Sequence, residues 1–126
     1  MKNSLLMIIL FGLCLMSFSH AENNLGYQGK SNAGLSPQEL LSKLESDTEV
    51  EIKIVRKWTI ATSNVQKTIW SFPPQNHPAY PSYVIRKVIE KDGAVFMNTS
   101  VTCGAEKEKC DKLFQDFIQI NARLRN

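Results

Sequence analysis

Few side chains in this 126-residue sequence are of types that could perform chemistry, and they sit in its second half: Ser71, His77, Ser82, Cys103 and Cys110. A hydrolase of the Ser-His-Asp or Cys-His kind would have to use His77, because the other histidine, His20, lies at the end of an N-terminal leader. Ser71 and Ser82 are the hydroxyls nearest to His77 in sequence. No G-x-S-x-G elbow, H-E-x-x-H pair or glycine-rich phosphate loop accompanies them. No catalytic residue is therefore assigned, and a small hydrolase using His77 stands only as the alternative reading. No spacing marks a pair of carboxylates for glycosidase-like work either. Cys103 and Cys110 have six residues between them, which is not the C-x-x-C of thiol oxidoreductases. Two cysteines and one histidine also fall short of the four ligands of a structural zinc site, so neither metal nor cofactor is expected.

The segment best placed to recognise something is Pro73–Pro81 (PPQNHPAYP), with four prolines in nine residues, framed by Trp70, Phe72 and Tyr83. Prolines fix φ and remove amide donors, so the stretch cannot join a sheet ladder and reads as an extended, stiff surface loop. Such a loop loses little entropy on binding. It presents Asn76, His77 and Tyr80, and the candidate binding residues are these three with Trp70 and Tyr83. The competing reading makes the loop a stiff connection whose aromatics cover one end of the core.

These residues work in a compartment that the N-terminus announces. Met1–Ser4 carries one lysine, Leu5–Met16 (LLMIILFGLCLM) is apolar, and Ser19 and Ala21 are small residues at a cleavage site. Spanning a bilayer takes about 20 apolar residues, whereas a signal h-region has about 7–15. Residues 1–21 thus read as a cleavable signal peptide, cut after Ala21, for a periplasmic or extracellular product. Bulky Leu13 before Cys14 argues against lipidation there. Cleavage leaves 105 residues, which suit one modest core and not two. It removes Lys2 from 15 basic residues, so 14 face 12 acidic ones and the net charge is +2. That balance excludes a nucleic-acid binder or polybasic membrane module, which would show a clustered basic excess. Lys53, Arg56, Lys57, Lys67, Arg86 and Lys87 fall on expected strands and read as a solvated sheet face. Cys103 and Cys110 alone remain, and an oxidising compartment lets them pair. Their eight-residue loop makes that bond a staple of about 2.5 kcal/mol in the chain-entropy model.

The expected elements follow from local patterns. Residues 22–34 (ENNLGYQGKSNAG) bury too little apolar surface to order and read as a flexible arm ahead of a single domain at 35–126. Ser36-Pro37-Gln38-Glu39 starts a helix with cap, N1 proline and capping-box glutamate, ending near Ser46, with Leu40, Leu41 and Leu44 on one stripe. From Glu49 the period becomes two. One long strand is expected, burying Val50, Ile52, Ile54, Trp58 and Ile60, with Arg56 awkwardly in phase. Further strands are expected at Val65–Phe72, Tyr83–Glu90 and Ala94–Cys103, the last two joined by a hairpin at Lys91-Asp92-Gly93. Asn98-Thr99-Ser100 matches a glycosylation pattern inside that last strand. Cys110, Leu113, Phe114, Phe117, Ile120 and Leu124 recur at three- and four-residue steps and define a C-terminal helix. The whole is an α+β domain: an N-terminal helix, a four-stranded antiparallel sheet in sequential order, and a C-terminal helix on one sheet face.

Small size, a single staple, a proline-rich aromatic loop and the missing catalytic set favour a non-enzymatic exported binding protein: an inhibitor, an immunity-type partner or an envelope accessory factor. Its partner would be another protein, and the mature chain itself a monomer without a membrane span. A carrier of an apolar small ligand is the other alternative, and it would need a cavity that a domain of this size seldom spares.

Overall fold

The computed structural model describes residues 34–124. The signal peptide expected at 1–21 and all but the last residue of the arm expected at 22–34 lie outside the described residues. The elements run α1 (Pro37–Glu45), β1 (Glu51–Val55), β2 (Trp58–Ser63), β3 (Thr68–Phe72), β4 (Ser82–Lys91), β5 (Ala94–Cys103) and α2 (Lys107–Arg123). All five strands form one antiparallel meander in sequential order.

α1 starts as its sequence dictates. Ser36 holds extended backbone and its Oγ accepts from the Glu39 N–H at 3.2 Å, with Pro37 in the first turn. Nine residues are too few for a helix to persist alone. Burial of Leu40 and Leu44 against Ala61, Trp70, Phe72 and Tyr83 holds it to the sheet. The Tyr83 hydroxyl donates to the Leu35 carbonyl at 2.8 Å and ties down the entry to the helix.

The sheet has five strands where the alternation suggests four. The stretch expected as one strand from Glu49 through Ile60 is a hairpin, folded at Arg56-Lys57, with Val55 paired to Trp58. Both turn residues have positive φ, 51° and 71°, as a two-residue type I′ turn requires. Neither is Gly, Asn or Asp, so the turn is invisible to its usual signal. The fold-back also reverses the facing of everything after it. Ile52 pairs with Ala61, which puts Ala61 and Ile52 on the α1 side and turns Trp58 and Ile60 to the opposite face. β3 begins at Thr68 rather than Val65, because Ser63 pairs with Thr68 across a four-residue turn. Within that turn the Ser63 Oγ accepts from the Gln66 N–H at 3.1 Å. The β4–β5 hairpin turns at Asp92-Gly93 as expected, again with positive φ at both residues.

The sheet is therefore covered on both sides. α1 takes one face, and α2 takes the other through Leu113, Phe114 and Phe117 packed on Val84, Val101 and Cys103. The Cys103–Cys110 disulfide, with 5.8 Å between its Cα atoms, joins the end of β5 to the first turn of α2. At the far end of the helix, the buried Asn121 Nδ2 donates to the Thr99 Oγ1 at 2.7 Å. α2 is thus pinned along β5 at both ends.

A candidate binding groove between α2 and the sheet

One helix cannot cover this sheet. Five strands about 4.8 Å apart span roughly 19 Å between the outermost pair, and a helix with its side chains is about 10–12 Å wide. α2 lies over β5, so the same face remains open toward β1 and β2. Trp58 and Ile60, turned to that face by the Arg56-Lys57 hairpin, meet Leu113, Phe117 and Ile120 of α2 across a groove of about 450 Å³. Ser71 and Arg86 contribute from β3 and β4, Val55 and Arg56 stand at the hairpin end, and His77 and Asp116 complete the walls.

Aromatic contacts order the wall. The His77 ring meets Trp58 edge-on with centroids 5.1 Å apart, and Trp58 meets Phe117 at 5.8 Å. The Arg86 guanidinium stacks over the Phe117 ring, 5.1 Å from its centroid, a favourable cation–π placement. His77, Trp58, Phe117 and Arg86 thus form a continuous chain of contacts.

The Pro73–Pro81 segment stays out of the ladder but is coiled rather than extended. The His77 N–H bonds the Pro74 carbonyl at 2.9 Å and the Tyr80 N–H bonds the His77 carbonyl at 3.0 Å. These close two successive turns, and Pro78, with φ already set, occupies the second position of the latter. The few amides left between the prolines are what fold the loop. Ala79 is buried against the α2-side core, and the Tyr80–Pro81 peptide bond is cis. The His77 Nδ1 accepts from the Ala79 N–H at 3.0 Å, so in the neutral ring Nε2 carries the proton. Desolvation lowers the His77 pKa; nearby Asp116 pulls it up and Lys112 pushes it down.

Among the described residues, Arg86 and Ser71 carry the groove's buried polar atoms that lack a hydrogen-bond partner. The Arg86 Nε is closed off from water with no acceptor, and burial lowers the pKa of its guanidinium. No carboxylate pairs with it among the described residues: Asp116, the acidic wall residue, holds Lys112 with both oxygens at 3.1 Å. The Ser71 hydroxyl is fully buried and likewise unbonded.

The residues singled out from the sequence separate here. His77 lines the groove. Asn76 and Tyr80 are exposed on the same loop and take no part in lining it, whereas Trp70 and Tyr83 are buried on the α1 face, packed under that helix. Neither Ser71 nor Ser82 bonds to His77, and the free His77 nitrogen is a donor, the wrong polarity for a base awaiting a serine proton. Sequence reasoning passed over Trp58, whose facing depends on the hairpin. It also took Arg86 for a solvated strand charge. The signal for Arg86 was its phase: it alternates with Val84 and Val88, while Tyr83 and Ile85 make the other face of β4 apolar too, the mark of a strand covered on both sides. No group of three His, Cys, Asp or Glu side chains able to hold a metal occurs among the described residues, and none of their helices is long and apolar enough to cross a membrane. No family model, curated protein or solved structure matches the chain.

Proposed function

We propose that the mature chain is an exported, non-enzymatic binding protein whose partner, another protein, seats an apolar segment in the groove between α2 and β2–β4. The observation that carries this reading is the groove itself: an open, largely apolar trough walled by Trp58 and Phe117, on a face that a single helix leaves half uncovered. A half-buried aromatic such as Trp58, backed by buried Phe117, is a side chain of the kind that concentrates binding energy at protein interfaces. The groove's openness to solvent suits a polypeptide segment better than a small apolar ligand, which would be mostly enclosed. His77 then serves as a rim donor through Nε2–H, and exposed Asn76 and Tyr80 extend the contact surface beyond the rim.

Site-specific photocrosslinking in the exporting cell tests the reading. A benzophenone side chain at Ile120, inside the groove, should give a discrete adduct that is absent when the same group replaces Val65 on the β2–β3 turn. An adduct from position 80 without one from position 120 would place binding on the outer face of the loop instead.

A further inference from the structure

The groove is charged as well as apolar, and its charge is unbalanced. Arg56 and Arg86 both line it, and Asp116, the carboxylate beside them, is already held by Lys112. The Arg86 Nε has no acceptor, and the terminal nitrogens of that guanidinium stay accessible and unbonded in the groove. A half-buried, unpaired cation is costly to maintain unless a second molecule supplies its counter-ion. Ser71 supplies an independent observation: a fully buried hydroxyl on the same floor with neither donor nor acceptor. Few native polar groups remain in that state.

We infer that the groove recognises an acidic side chain, Asp or Glu, set among apolar residues of the partner segment, with the carboxylate on the Arg86 guanidinium and the flanking side chains against Trp58 and Phe117. This rests on the groove being the binding surface and adds the chemistry of what enters. Guanidinium and carboxylate match as a planar fork, a charge-assisted pairing that a shielded site strengthens. The guanidinium is stacked on Phe117, so little side-chain freedom remains to be lost when the carboxylate arrives. His77 Nε2–H can donate to the same segment at the rim.

The test is selection of internally displayed random 12-residue peptides, with no free carboxyl terminus, against the mature protein. Wild type should enrich peptides carrying Asp or Glu within two residues of an aromatic or branched aliphatic side chain. Arg86→Met should weaken the selected peptides at least tenfold, and Arg86→Lys should recover part of that loss. Thermal unfolding of both variants establishes that they fold. Should Arg86→Met fail to fold, mutation of the selected acid to its amide reads the same pairing from the other side. Ile120→Arg, which fills the groove, separates the two claims. Peptides that lack an acid yet are lost on Ile120→Arg would overturn the acidic-segment proposal and leave the groove standing. Peptides indifferent to Ile120→Arg, or no enrichment at all, would overturn both. Displacement of selected peptides by micromolar laurate would also overturn it, by making the site one for a small amphipathic acid.

Discussion

His77 keeps its Nδ1 lone pair on the Ala79 N–H at 3.0 Å, and that bond places the proton of the neutral ring on Nε2. Protonating Nδ1 would set two donors against each other, and desolvation already lowers the ring's pKa below its ordinary 6.5. The folded protein thus binds this proton less readily than the unfolded chain. Its contribution to stability is complete above about pH 6.5 and is lost as the pH falls through the lower, folded value. His77→Asn, whose Oδ1 can take over the Ala79 bond, removes the titration. Wild type should lose stability relative to this variant as the pH drops from 7 to 5, in urea titrations at each pH, and a parallel pair of profiles would count against the assignment. Phe117 bears a heavier load, since it is buried, closes the α2-side core and supports Arg86. Phe117→Ala should cost about 3–5 kcal/mol, read as a fall in the urea midpoint. Tyr80 has 39% of its surface exposed and packs in neither core cluster, so Tyr80→Ala should shift stability by no more than about 0.5 kcal/mol.

Among the elements, those with a local chemical signature were legible and those fixed by geometry were not. α1 declared its start through Ser36 and Pro37, α2 through its apolar steps, and the β4–β5 hairpin through Asp92-Gly93, because each signal lies within a few residues of what it controls. The Arg56-Lys57 turn had no such signal. Its two residues adopt a left-handed conformation that side chains with a Cβ resist, and the uninterrupted alternation around them is equally that of one long strand. The register of β1 on β2 holds the turn in place from both sides. Missing it concealed the candidate groove as well, since the facing of Trp58 and Ile60 follows from where the chain reverses. The turn residues are then not the best for their conformation. Lys57→Gly relieves the strain at φ 71° and places glycine where a type I′ turn prefers it. It should raise the melting temperature by a few degrees, equivalent to about 1 kcal/mol, and an unchanged or lower value would mean that the lysine stem contributes more than the strain costs.

At the scale of the whole molecule, a modest chain keeps one helix on each face of a five-stranded sheet, so neither face is fully covered and each helix needs anchoring. α1 has its leucines and the Tyr83–Leu35 bond; α2 has Asn121 on Thr99 at one end and the Cys103–Cys110 bond at the other. Both sulfurs are buried, and Gly104, next to the bond, donates its N–H to the Pro81 carbonyl at 2.8 Å. A Cβ at Gly104 would come within 3.2 Å of the Pro81 ring, so the disulfide corner and the end of the proline-rich loop are packed against each other. The staple therefore acts on the groove as well as on the fold, because it sets where α2 begins and hence how far its flank stands from Trp58. Replacing both Cys103 and Cys110 by Ala should destabilise the domain by about 2–3 kcal/mol, most of it from the freed eight-residue loop in the unfolded chain. The sheet should survive, as its ladder and the α1-side core do not involve the bond. The loss should concentrate at the start of α2, where Glu106 makes no side-chain cap and the first turn depends on the disulfide for its position. Amide hydrogen exchange resolves this. Protection should fall at Cys110–Leu113 in the double variant while β3 and β4 stay protected under native conditions. Uniform loss across the sheet would show instead that the bond holds the whole domain together.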